Sequence, residues 1–488
     1  MAAAYLTSSG IKITGAALYR TEMHTRIPFR YGIATVTRLP HIFLRLTARI
    51  NGAEAVGIAA DHLAPKWFTK DPATPFEDDI TGMLAVHRRA AETALALESA
   101  PTPFALWQRL YAAQAEWGAE QNFAPLLVHF GTSLVERALI DAVCRAAGTP
   151  FATLLRTSGG LGVRPGDVHP EIPAGAAPGD LLPDEAPLPR VLARHTVGLS
   201  DPLTDADRTE EHQVADGLPV TLEECVAVYG LRHFKLKIGS DTDRNLARLE
   251  QTLTRLGSVC PTRDWAYTLD GNESYTSVAD FRAFWEAFRA HPALRDSLPR
   301  LLFVEQPLHR AVALAPATGD AFAAWPDRPP VIIDESDAET GSLPAALALG
   351  YAGTSHKNCK GVFKGVANAC LLAHRRRQRN TAAPLLLLSG EDLSNVGPVA
   401  LPQDLAVQAA LGIRSVERNG HHYFAGLSMF PPDVQEATRA AHPELYHIGL
   451  AGFPTLTVTG GELDLGSVNA APFGVNFLPD LEMFAQRL

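Results

Sequence analysis

Five short apolar runs in the second half of the chain each end in a charged residue, and they recur at an interval that few architectures can use. The runs are FKLKIG (Phe234 to Gly239), YTLDGN (Tyr267 to Asn272), LLFVEQP (Leu301 to Pro307), VIIDES (Val331 to Ser336) and GTSHKNCK (Gly353 to Lys360). Their charges, Lys237, Asp270, Glu305, Asp334 and Lys357, follow one another at intervals of roughly 23 to 35 residues. One strand with its returning helix takes about 30 residues, and eight such units close a barrel in about 250. The carboxyl ends of all strands in such a barrel open into one mouth, where side chains from successive strands converge. The spacing therefore predicts a parallel α/β barrel with one site drawn from all five segments.

Three further runs complete the ring: RVLARHTVGL (Arg190 to Leu199), APLLLLSG (Ala383 to Gly390) and IRSVERNG (Ile413 to Gly420). Helical patterns such as TDRNLARLEQTLTRLG and SVADFRAFWEAFRAH lie between the strands, as α/β alternation requires. The chain before the barrel has a different grain. IKITGAALYRT, LPHIFLRLTARI and AEAVGIAA read as strands, with Asn51-Gly52 as a turn between the last two. Apolar residues at helical spacing then place helices between about Pro75 and Ala147. Residues 1–157 are expected to form an α+β domain, and 190–429 the barrel. Between them, 158–189 is crowded with Gly, Pro and acidic residues and is expected to lack regular structure. It would be a solvated loop, or an arm over a neighbouring subunit or the barrel mouth. The tail 430–488, ending NFLPDLEMFAQRL, is expected to return to the first domain.

Taken singly, each acid would read as a buried carboxylate paired with a base, because charges are rarely buried alone. Asp270, Glu305 and Asp334 on three successive strands instead supply hard oxygen donors to one point, a set that suits Mg²⁺ and leaves positions for substrate. Lys235 and Lys237 alternate on one strand, so both face the same way. Mutual repulsion in an inward lysine pair disfavours double protonation, and a neutral lysine is a competent general base. Lys357 ends the sixth strand, about halfway round the ring from the second. It is preferred over Lys360 and Lys364, which fall in the following loop or helix.

The run K-x-K, D-x-N, E-Q-P, D-E-S and a final lysine resembles the enolase superfamily, in the mandelate racemase/muconate lactonizing enzyme family and its muconate-lactonizing subgroup. PFRYGIA (Pro28 to Ala34) resembles that family's mobile capping loop, and ALIDAVCRAAGTPFATLL its helix ahead of the barrel. The resemblance implies a (β/α)7β TIM-like barrel with an N-terminal α+β capping domain. It implies one Mg²⁺ held by Asp270, Glu305 and Asp334, with Lys237 as an acid/base tuned by Lys235. Asn272 would meet the substrate, and Lys357 would be the opposing acid/base or an electrostatic partner. A lysine base working with Mg²⁺ is the general pattern of that superfamily. The implied step removes the proton α to a substrate carboxylate through an enediolate, giving racemisation, epimerisation or cycloisomerisation. An acid-sugar dehydratase is the alternative enzyme, and a noncatalytic metal- or ligand-binding barrel the alternative of another class.

The seventh strand ends in Ser389-Gly390-Glu391-Asp392, without the histidine that mandelate racemases would place there. The eighth ends V-E-R-N-G-H-H-Y-F, not the D-x-D with which dipeptide epimerases hold an ammonium, so a dipeptide is disfavoured. Glu417, His421 and His422 read either as substrate contacts or as ordinary structural loop residues.

Charge and cysteine usage narrow the setting. A formal charge of −10 offers no basic face to nucleic acid or an anionic membrane. The expected partner is a small-molecule carboxylate, and a homo-oligomer is expected. Five scattered cysteines without a C-x-x-C pair argue against a disulfide framework or structural zinc. The opening MAAAYLTSSG has no basic and apolar signal, so a cytoplasmic enzyme is expected.

Overall fold

The computed structural model describes residues 10–157, 159–182, 186–260, 264–378 and 385–488. The opening MAAAYLTSS, the first residue of the Gly/Pro-rich stretch and the start of APLLLLSG lie outside these residues. The amino-terminal part is an antiparallel meander of β1 (Ile11–Tyr31), β2 (Ala34–Ile50) and β3 (Ala53–His62). Three helices follow, α1 (Phe76–Ala96), α2 (Pro103–Glu120) and α3 (Pro125–Ala147). Helix α3 begins with a proline, which needs no amide partner there, and stops at Gly148, whose φ of +57° ends the helix in the left-handed region. From Leu126 to Cys144 it is buried on every face, between the sheet and the other two helices. A Cβ at Gly57 would fall 2.0 Å from the Ala138 carbonyl oxygen, so only glycine lets β3 approach α3 this closely.

Strands β1 and β2 run past the segments expected of them. They stay paired through Tyr31↔Ala34 after a register slip between His24 and Phe29. PFRYGIA, read as a capping loop, is therefore the tip of a β-hairpin. The reason is that both strands find backbone partners again on the far side of the slip, out to Tyr31 and Ala34.

Eight parallel strands close the barrel: β4 (Arg190–Val197), β5 (His233–Lys237), β6 (Ala266–Asp270), β7 (Leu301–Glu305), β8 (Val331–Ile333), β9 (Gly353–His356), β10 (Leu387–Gly390) and β11 (Ser415–Glu417). Closure is made by β11 on β4, with Glu417 opposite Arg194. The helices between them carry strong caps. Asp241 caps Thr242–Val259, and Ser277 caps Val278–Ala290. Phe303, Ile332 and Ala352 form a small apolar plug separate from the main core. The fold is the barrel with an antiparallel-sheet capping domain that the sequence predicts.

The Gly/Pro-rich stretch corrects an expectation. It contains one-turn helices at Pro165–Val168 and Pro178–Leu181, each begun by its proline, and it packs on the helix Val362–Gln378. His169 Nε2 meets Asn368 Oδ1 at 2.9 Å, Glu171 pairs with Arg375 at 2.8 Å, and Ile172, Leu181 and Leu182 are buried. These apolar anchors, with Leu161, Val163 and Leu188 and the paired polar groups, hold an otherwise irregular segment. At the far end of the chain, Gln486–Arg487 adds an antiparallel strand to β1, and Phe484 packs edge-on to Phe43. Among the described residues, no helix is long and apolar enough to cross a membrane.

Candidate active site

Strand register brings the charged ends level. Lys237 lies opposite Asp270, and Asp270 opposite Glu305, so three neighbouring strands end their side chains at one height. Gly390 pairs with both His356 and Val416, which sets Glu391 and Glu417 at the same rim from the other side. The result is a chain of alternating charge across the mouth. Lys237 Nζ lies 2.5 Å from Asp270 Oδ2, and Lys235 Nζ shares that oxygen at 2.9 Å. Lys235 Nζ also lies 2.9 Å from Glu305 and from Glu391, and 2.8 Å from Glu417. Lys357 Nζ joins Glu391 at 2.8 Å to Asp334 at 2.6 Å. Behind it Lys360 pairs with Asp334 at 3.0 Å, and Lys364 with Asp337 at 3.1 Å.

Lys235 departs from the neutral-pair expectation. Burial alone would lower its pKa, but Asp270, Glu305, Glu391 and Glu417 outweigh burial and hold it well above the ordinary lysine value. Repulsion from Lys237 is a minor matter when four carboxylates surround one ammonium. For Asp334, burial is outweighed by Lys357, Lys360 and Lys235, which keep the carboxyl well below its usual range. Glu335, which the same strand end also buries, is pushed up to about 7 by burial and the neighbouring Asp334, Glu273 and Asp270 charges.

Above the ladder is a small cleft. Lys235, Lys237, Asp270, Asn272, Asp334, Lys357 and Glu417 line its floor, together with Asp392 and Asn419. Its roof is Phe29, Tyr31, Leu39, Ala64 and Trp67 from the capping domain, with Leu393. Asn272 sits at φ +41°, and its amide nitrogen donates to Asp270 Oδ1 at 2.8 Å. Lys357 lines the cleft with its Nζ 4.8 Å from the centre of the Trp67 ring, whereas Lys360 and Lys364 point away into buried pairs. Glu305 lies beneath the lining, fully buried. A broader polar groove shares Tyr31, Lys237 and Asn272 with the cleft and carries Arg30, Lys70 and Arg244 along its walls.

Two arginines hold the roof down. Arg26 binds Asp216 at 2.5 and 2.9 Å and donates to the carbonyls of Leu218, Pro219 and His422. Arg310 binds Glu273 at 2.7 and 2.8 Å and donates to the carbonyls of Trp67 and Phe68. Such forked, charge-assisted contacts fix orientation as well as adding energy.

The residues suit a divalent cation. Both Glu305 carboxylate oxygens are buried without a hydrogen bond, although Oε2 touches Lys235. Burial, then the Glu391 charge, outweighs the Lys235 ammonium and pushes the Glu305 pKa well above the carboxylate range. Among the described residues, Glu305, Asp334 and Glu391 each offer an oxygen within 4.8 Å of the others. All are hard donors of the kind Mg²⁺ prefers. Of the three acids singled out in the sequence, Glu305 and Asp334 share this cluster, and Asp270 stands one step away on Lys235 and Lys237. Glu391 was missed as a ligating residue and Glu417 was weighed only as a loop contact, yet each follows an apolar run, LLLLSG and IRSV, in the same manner as the acids that were found.

No family model matches this sequence, and no curated protein sequence matches it either. Solved structures do. A muconate lactonizing enzyme from Pseudomonas fluorescens complexed with muconolactone is 17% identical, with a TM-score of 0.58 over 98% of this chain and 100% of that one. A dipeptide epimerase from Enterococcus faecalis is 14% identical, with a TM-score of 0.58 over 96% and 100%. A Bradyrhizobium enolase complexed with magnesium and mandelic acid is 15% identical, with a TM-score of 0.54 over 94% of each chain. At such identities the likeness establishes the fold, capping domain and barrel together, over nearly the whole length.

Proposed function

We propose that this chain is a member of the enolase superfamily, in the mandelate racemase/muconate lactonizing group, and that it isomerises a carboxylic acid by moving its α-proton. The observation that carries this reading is that Lys237 and Lys357, from the second and sixth strands, line one cleft with the carboxylate cluster at its floor. Glu305, Asp334 and Glu391, with Asp270 alongside, would hold Mg²⁺, which supplies Lewis-acid polarisation of the substrate carboxylate when bound.

The protein's own residues account for the remaining work. The polar groove beside Lys237, with Arg30 and Lys70 paired to Glu211 and Glu273 and Arg244 on its wall, would admit the acid. Lys237 and Lys357 would exchange the α-proton, one on each face of the carbon. Lys235, held cationic by its carboxylates, supplies fixed positive charge where the enediolate develops, which preorganised cations favour. Asn272 orients the acid beside Asp270. The roof excludes water, and its apolar surface suits a hydrophobic substrate body better than a polyhydroxylated one. That last point favours isomerisation over sugar-acid dehydration. The runner-up, dehydration with a single base, draws on the double pairing of Lys357 with Asp334 and Glu391, which suits an electrostatic role.

The test is incubation of the protein with Mg²⁺ and a panel of N-acyl amino acids, lactone-forming acids and sugar acids in D₂O, read by mass spectrometry and polarimetry. Uptake of α-deuterium with racemisation or ring closure supports the isomerase. Loss of water to a keto acid replaces it with the dehydratase. No exchange with any acid, at saturating Mg²⁺, leaves a noncatalytic binding barrel.

A further inference from the structure

A second cluster of ligating side chains lies on the outside of the barrel wall. Along β4, Arg194 and Thr196 turn inward, meeting Ser389 and Glu417, so alternation sends His195 outward to the helix layer. There it meets Cys225, in the helix Leu222–Tyr229, and His422, in the turn Gly420–Tyr423 that follows the last strand. The three residues are 3%, 0% and 3% exposed, and one ligating atom from each lies within 4.8 Å of the other two. None of them lines the cleft.

This position is one where a barrel ordinarily packs aliphatic side chains. Instead it holds a histidine whose Nδ1 is buried without a hydrogen-bond partner, an arrangement that costs about 1–3 kcal/mol if nothing fills it. His422 Nδ1 and Cys225 Sγ are 3.7 Å apart. A tetrahedral zinc with bonds of about 2.0–2.1 Å to nitrogen and 2.3 Å to sulfur sets those two atoms about 3.6 Å apart. The His195 and His422 rings are nearly perpendicular, at 84°, with centroids 5.0 Å apart. Burial holds the His195 pKa down to about 4 and that of His422 well below the usual value, so both imidazoles carry the free lone pair a metal needs.

We propose that His195, Cys225 and His422 form a metal site separate from the carboxylate cluster, taking a borderline cation of the Zn²⁺ type where the floor takes a hard one. Nitrogen and sulfur donors select for that class, as oxygen donors select for Mg²⁺. Binding exchanges the Cys225 thiol proton for a metal–sulfur bond, and one proton leaves to solvent. The metal would tie the first strand, its helix and the turn after the eighth strand together. It would thus fix the segment from which Glu417 and Asn419 reach the cleft.

The test is anaerobic titration of the metal-stripped full-length protein with Co²⁺, in the presence of saturating Mg²⁺ to occupy the carboxylate cluster. One equivalent per chain should give a thiolate-to-cobalt charge-transfer band with intense tetrahedral d–d bands, and one equivalent of Zn²⁺ should bleach both. Cys225→Ser should lose the charge-transfer band. His195→Gln, which keeps the thiol, should lose the tetrahedral intensity even if the serine variant folds poorly. Absence of a charge-transfer band in the unaltered protein overturns the proposal and leaves a thiol-to-imidazole hydrogen bond. A band that persists undiminished in Cys225→Ser overturns it as well.

Discussion

The floor and the roof of the cleft are built on opposite plans. The floor, with the buried Glu391 bridging its lysines, is an alternation of charge, Lys237, Asp270, Lys235, Glu391, Lys357 and Asp334 in turn, supplied from strand ends and the turns just beyond them. The roof is apolar, drawn from the β1–β2 hairpin, the loop after β3 and one residue after the seventh strand, and clamped by Arg26 and Arg310. A floor fixed by sheet hydrogen bonding can hold reacting groups to the tolerance that chemistry needs. A roof made of loops can change its shape without disturbing them. The floor is thereby suited to set the reaction, and the roof to choose the substrate.

The largest effect should come from breaking the floor. Glu305→Ala removes the carboxylate with no hydrogen bond of its own, and should lower turnover by about 10³-fold or more, the several kcal/mol a Lewis acid contributes. Calorimetric titration should show Mg²⁺ affinity falling in step, with the circular dichroism unchanged. A variant that binds Mg²⁺ normally would remove Glu305 from the ligand set. Cutting the roof should do less and act differently. Trp67→Ala deletes the ring against Lys357 and part of the apolar wall, a loss of about 1–3 kcal/mol of binding or roughly 10- to 100-fold in KM. Initial-rate kinetics should find kcat changed by a smaller factor. A collapse of kcat at constant KM would mean the roof takes part in chemistry.

The two plans also explain what the sequence revealed. The floor was legible because each of its residues stands at a fixed place, the end of an apolar run, and the runs repeat. The same rule applied to LLLLSGE and IRSVE would have delivered Glu391 and Glu417. The protonation of Lys235 was not legible, because the four carboxylates around it come from four other strands and only the closed ring assembles them. The roof was partly legible: the segment holding Phe29 and Tyr31 was implicated, but Leu39 and Leu393 depend on how long the hairpin runs and where the seventh-strand turn goes. His195, Cys225 and His422 carry no spacing signature, since they lie on a strand, a helix and a distant turn.

A pH-dependent effect sharpens the comparison at the seam between the two regions. Glu136, in the buried helix α3, accepts a hydrogen bond from the Phe363 amide, and burial raises its pKa from about 4.5 to about 8. A raised folded-state pKa gives stability that is full below the unfolded value and lost as pH climbs through the folded one. Relative to Glu136→Gln, the native protein should therefore lose stability between about pH 4.5 and 8, by at most about 1.4 kcal/mol per pH unit. Urea unfolding across that range reads the slope. Parallel curves for the two proteins would mean the carboxyl is ionised in the fold.

The central claim, two lysines serving opposite faces of one α-carbon, is tested most directly by solvent exchange in single-lysine variants. Each enantiomer of a substrate is incubated in D₂O with Mg²⁺ and either Lys237→Ala or Lys357→Ala, and the α-proton is followed by NMR. Racemisation should fall by about 10²- to 10⁴-fold in both variants, the usual contribution of a positioned base. Lys237→Ala should still exchange the proton of one enantiomer, and Lys357→Ala only that of the other. Exchange of both enantiomers by Lys357→Ala at the native rate would contradict the account and reduce Lys357 to an electrostatic neighbour.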